Sequence, residues 1–113
     1  MEATKDIEQL QLYEQNLSAM VQSRQSLQAQ LMEVDSALRE LKGKTKAYRI
    51  LGNVMVEATP DRLSEDLQEK RRLTELRIKS IEKQEEQLRE KAKALQTKVL
   101  KVIKDEGRTE AGE

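Results

Sequence analysis

The chain has 113 residues, 21 Lys+Arg balanced by 21 Asp+Glu, 37% charged side chains, and no Cys, His, Trp or Phe. At 2% aromatic it lacks the large side chains that dominate conventional cores, while its richness in Ala, Glu, Lys, Leu and Arg matches long helices and coiled coils. Charge neutrality gives no pull toward nucleic acid or an anionic membrane, and the missing imidazole and thiol remove the usual general base and nucleophile.

The first element expected is a helix over about 6–42. Leu10, Leu17, Arg24, Leu31 and Leu38 recur every seven residues, and Tyr13, Met20, Leu27, Val34 and Leu41 recur three later. That is an a/d seam, with Arg24 as its one charged interruption. Arg24 reads either as a tolerated defect, its stem packed and its head in water, or as a register device. Gly43 follows Leu41-Lys42 as a helix-ending glycine does.

The second element expected is a β-hairpin over 46–58. Two β-prone runs, Tyr48-Arg49-Ile50-Leu51 and Val54-Met55-Val56, flank Gly52-Asn53, a signature of a two-residue primed turn. Such a turn sets Leu51 opposite Val54 and Ile50 opposite Met55, on opposite faces. Both faces are then partly apolar, and an isolated two-stranded ribbon is barely stable in water. Its free edges invite further pairing, so several chains are expected to pool their hairpins. The oligomerisation hairpin is assigned to Tyr48, Ile50, Leu51, Gly52, Asn53, Val54, Met55 and Val56.

The third element expected is a helix over 60–104, opened by Thr59 as N-cap, Pro60 at the first helical position and Asp61 in the first turn. Its seam is Leu63, Leu67, Thr74, Ile78, Ile81, Leu88, Ala92, Leu95, Val99 and Val102, while Leu73 and Leu76 point elsewhere as a second contact surface. Glu75–Lys79 and Glu85–Arg89 are favourable i,i+4 pairs. Residues 105–113 read as a disordered polar tail. The fold class is mainly α: a long antiparallel coiled-coil hairpin, one unit over 1–113, with a single β-hairpin between its helices. At 1.5 Å per residue the paired helices span roughly 55–65 Å.

No catalytic, metal or cofactor site is expected. Glu82, Glu85, Glu86 and Glu90 form an acidic cluster that could hold a cation loosely, but such charge patterns are ordinary and the cluster is read as a solvated coiled-coil face. Lys70-Arg71-Arg72 sits among acids with no aromatic for base stacking, so nucleic acid is not an expected partner. No apolar run approaches the ~20 residues of a membrane span, and the cysteine-free chain suits a reducing compartment, so a soluble, cytoplasmic protein is expected. Off-seam apolar residues return near both termini. Ile7 and Leu12, with Leu10 and Tyr13, meet Leu100 and Ile103, with Val99 and Val102, at the free end. Such a cluster marks either a binding surface or a zipped helix end.

The stretches 48–56, 73–88 and 24–31, with Tyr13-Glu14-Gln15-Asn16-Leu17, resemble prefoldin beta subunits, most of all the archaeal type. The resemblance spans about Ile7 to Ile103. It implies a hexamer of two alpha-class and four beta-class subunits. Their hairpins would form a double-barrel platform, and their coiled-coil tips would hold unfolded clients, without ATP, for a group II chaperonin. The alternative is a structural coiled-coil oligomerisation protein that binds no client, which explains the heptads but not the apolar-faced strands interrupting them.

Overall fold

A computed structural model describes residues 2–111, and the side chains of residues 4–106. Helix α1 spans Glu2–Leu41, strand β1 Ala47–Leu51, strand β2 Val54–Ala58, and helix α2 Pro60–Ala111. The order matches the sequence expectation, and two boundaries differ by more than one residue. Helix α1 begins four residues before the expected start. Helix α2 runs through Gly107 to Ala111, so the segment from Asp105, expected as a disordered tail, is helical as far as Ala111. One glycine costs a helix only about 1 kcal/mol relative to Ala, which does not oblige a helix of 52 residues to stop. Gly112 and Glu113 lie outside the described residues.

The turns follow local chemistry. Gly43 adopts φ 73° just past α1, the left-handed conformation that glycine reaches without a Cβ penalty, and Lys44 N–H donates to the Leu41 carbonyl at 3.2 Å. Thr59 caps α2: its Oγ1 accepts from Arg62 N–H at 3.4 Å, and Pro60 occupies the first helical position, where a missing N–H costs nothing.

The fold divides into two compact units: Met1–Ser23 with Ile81–Glu113, and Arg24–Ser80. In the second unit, Asp35 on α1 accepts from Arg71 Nε on α2 at 2.6 Å. A groove toward the hairpin end is lined by Leu38 and Leu41 from α1 and by Pro60 and Ser64 from α2. Ascending α1 is thus descending α2, an antiparallel pairing. Asp35, by hydrogen bond and then by charge, raises the Arg71 pKa, and Glu75 at 3.4 Å adds to it. The hydrogen bond from Arg72 likewise holds the Glu69 carboxyl below its usual range. These pairs are exposed, and water and salt screen such bridges so that each contributes little.

The heptad seam carries the packing. Every α1 seam position from Leu10 to Leu41 is at least partly withdrawn from solvent, Arg24 included, and Val34 is buried. On α2, Ile78 and Val99 are buried, the other expected seam positions are partly or fully withdrawn, and Leu73 and Leu76 are exposed as anticipated. Thr74 is buried on the seam, and its hydroxyl donates to the Lys70 carbonyl at 2.7 Å, the local back-bond that lets a hydroxyl sit on an apolar face.

One expectation needs correction. Glu85, grouped with a solvated acidic face, is 2% exposed and occupies the seam seven residues after Ile78 and three before Leu88. Arg89 Nη2 approaches its carboxylate at 3.5 Å, and a buried carboxylate needs such a partner to offset lost hydration. Glu82, Glu86 and Glu90 stay exposed. Among the described residues no group of three or more His, Cys, Asp or Glu is disposed to hold a metal ion, and no helix is long and apolar enough to cross a membrane.

Candidate assembly hairpin and client-binding end

The hairpin has the register that the sequence anticipates: Ile50 pairs with Met55 and Leu51 with Val54, continuing outward to Ala47 with Ala58. Gly52 takes φ 61° and Asn53 does not enter positive φ, which makes the turn a type II′. Directly paired residues share a face. One face therefore carries Ala47, Arg49 and Leu51 with Val54, Val56 and Ala58. The other carries Tyr48 and Ile50 with Met55 and Glu57.

The first face leans on the start of α2. Arg49 Nη2 donates to Asp66 Oδ2 at 2.6 Å, and a small hollow there is lined by Leu51, Val56, Ala58 and Leu63. Ala47 is buried. The second face has no such support: Ile50 is 68% and Met55 63% exposed, with Tyr48 also open. Both strands belong to a sheet of two, so each has one free edge. Leu51, Val54 and Val56 remain exposed as well, and a ribbon with this much bare apolar area and two unpaired edges is primed to pair further.

The terminal cluster lies within the unit formed by Met1–Ser23 and Ile81–Glu113. There the eight expected residues divide into two sets. Leu10, Tyr13, Val99 and Val102 are seam residues, with Val99 buried and the others half-buried. Ile7, Leu12, Leu100 and Ile103 stand off the seam at 38%, 48%, 60% and 50% exposure. The second set is what a partner could reach.

The two strips are staggered rather than side by side. Lys98 Nζ lies 3.4 Å from Asp6 Oδ2, placing those residues at about the same height. From that level Leu10 and Tyr13 run one way along the axis, while Val99 to Ile103 run the other, because the helices are antiparallel. At 1.5 Å per residue the apolar strip is spread over roughly 18 Å. Ile7 and Val99 are neighbours in height; Tyr13 and Ile103 are not. Asp6 is also a seam position the sequence reading passes over, seven residues before Tyr13. Its Oδ2 is shielded from solvent and makes no close hydrogen bond, leaving Lys98 as its ion-pair partner.

The family model for prefoldin subunits matches residues 4–106, a span that takes in both the hairpin and the apolar end. The chain belongs to the prefoldin subunit family. Its relatives place it in the beta class, archaeal in type. It is 33% identical over 100 residues to prefoldin subunit beta of Archaeoglobus fulgidus, covering 86% of each chain. It is 34% identical over 94 residues to the Thermococcus onnurineus subunit, covering 80% of this chain and 81% of the relative. The crystal structure of the prefoldin beta subunit from Thermococcus strain KS-1 superposes with a TM-score of 0.82 at 31% identity, covering 89% of this chain and 91% of that one. The beta2 subunit from the same strain gives 0.66 at 28%, covering 83% and 99%. As a prefoldin subunit the chain is a chaperone component that assembles with other prefoldin subunits.

Proposed function

We propose that this prefoldin subunit holds non-native polypeptides at the end carrying Ile7, Leu12, Leu100 and Ile103, and joins its partners through the β-hairpin. The observation that carries the reading is the exposure of those four side chains beside a seam that is otherwise withdrawn from solvent. Apolar area covered on contact contributes ~25 cal/mol per Å², so one end binds a client weakly. Several tethered ends bind it strongly through effective concentration. A hexamer of two alpha-class and four beta-class chains, with the hairpins pooled, supplies such an array. The bare outer face of the hairpin and its free edges support that use.

Holding by apolar contact consumes no nucleotide, and the subunit is proposed to be non-enzymatic. Release of a held chain to a group II chaperonin completes the reading, in a cytoplasmic setting where nascent chains arise. The test assembles the subunit with an alpha-class partner and measures suppression of aggregation of a denatured protein. Replacing Leu12, Leu100 and Ile103 together by Ser is expected to leave the complex mass unchanged and remove most of the protection. ATP is expected to make no difference to the unsubstituted complex. Full protection by the triple variant would move the holding surface elsewhere.

A further inference from the structure

The stretch of α2 that carries Leu100 and Ile103 is also strongly basic. Between Glu90 and Asp105 it holds five lysines, at 91, 93, 98, 101 and 104, and no acid. The α1 stretch at the same end has the opposite sign: Glu2, Asp6, Glu8 and Glu14 against Lys5. The chain as a whole is neutral, so this local charge is no by-product of a basic protein.

Helical spacing sorts these lysines. Lys98 faces α1, where it meets Asp6. Lys93 lies seven residues before Leu100 and Lys104 four after it, so at 3.6 residues per turn both share its stripe, along with Ile103. Lys93, Leu100, Ile103 and Lys104 are all exposed. By the same spacing Asp105 falls on another side of the helix, and Glu106, three residues after Ile103, borders the stripe beyond Lys104. The stripe is therefore an apolar pair bracketed by two cations about 16 Å apart along the axis, with no acid between them.

We propose that this face of α2 selects client segments whose apolar residues are flanked by Asp or Glu. The proposal rests on the client-binding reading above and specifies the chemistry of what is held. An extended segment that lays its apolar residues on Leu100 and Ile103 brings its flanks over Lys93 and Lys104. Acidic flanks then gain two ion pairs, and basic flanks meet repulsion. Exposed pairs are weak singly, and their effect is screened by salt over about 10 Å at 0.1 M.

The experiment uses the assembled complex and two labelled peptides with one leucine-rich centre, flanked in one by glutamates and in the other by lysines, followed by fluorescence anisotropy. The glutamate-flanked peptide is expected to bind roughly threefold to tenfold more tightly at low salt, with the preference fading as salt rises. The exposed substitutions Lys93→Glu and Lys104→Glu together are expected to reverse the preference, and Lys93→Gln with Lys104→Gln to erase it. Equal affinity for both peptides, or a preference that survives the charge reversal, overturns the selection while leaving the holding role standing. Failure of both peptides to bind a complex that still protects a denatured protein overturns the holding surface and the selection together.

Discussion

Val34, Ile78, Val99 and Thr74 show how little of each helix needs to be buried for the pair to hold. Each is a seam residue below a tenth exposed, and their neighbours one position away are mostly in water. Val34→Ala should therefore cost about 2 kcal/mol, the transfer of two methyl groups plus part of the cavity left behind. Thr74→Val should be neutral or stabilising by up to ~1 kcal/mol. The lost hydroxyl bonds only to a carbonyl of its own helix, and a methyl fits the seam better than an oxygen. Urea unfolding followed by the helical signal separates the two, and destabilisation by Thr74→Val beyond 1 kcal/mol would mean that its hydroxyl serves a partner chain.

Among the elements, the β-hairpin is the one whose local stability falls short of its order. Two strands of five residues each are marginal alone, and its ties to α2, such as the Arg49–Asp66 bond, engage only one face. Substituting Ile50 and Val54 by Asp strips apolar area from both faces at once. The expected outcome is a subunit that keeps its helical signal and fails to assemble with an alpha-class partner, read by sedimentation. An unchanged complex would remove the hairpin from the proposed interface.

For the whole molecule, the proposed holding residues and the proposed assembly residues fall in different compact units, the first within Met1–Ser23 with Ile81–Glu113 and the second within Arg24–Ser80. Loss of one should then leave the other working. Deleting residues 1–13 and 99–113 is expected to preserve complex mass while abolishing suppression of aggregation, with the loss multiplied across the tethered arms. Joint loss of mass and protection would show that the two roles are coupled through the helices.

The sequence alone determined the secondary structure, the seam and the hairpin register, because each rests on short-range rules. A period of 3.5 residues sorts Leu10 to Leu41 onto one side, Thr59-Pro60 opens a helix, and a two-residue turn at Gly52-Asn53 leaves one pairing for Ile50 and Met55. The family was legible in the same residues. What escaped is what depends on a second helix. Glu85 reads as solvated and Asp6 is passed over because their side chains are charged, yet both lie on the seam, Glu85 beside Arg89 of its own helix and Asp6 beside Lys98 of the other. Periodicity fixes which side of a helix faces inward but not the axial register between two helices. The sequence thus brought the terminal apolar residues to one end, and only the Asp6–Lys98 contact decided that they form a staggered strip.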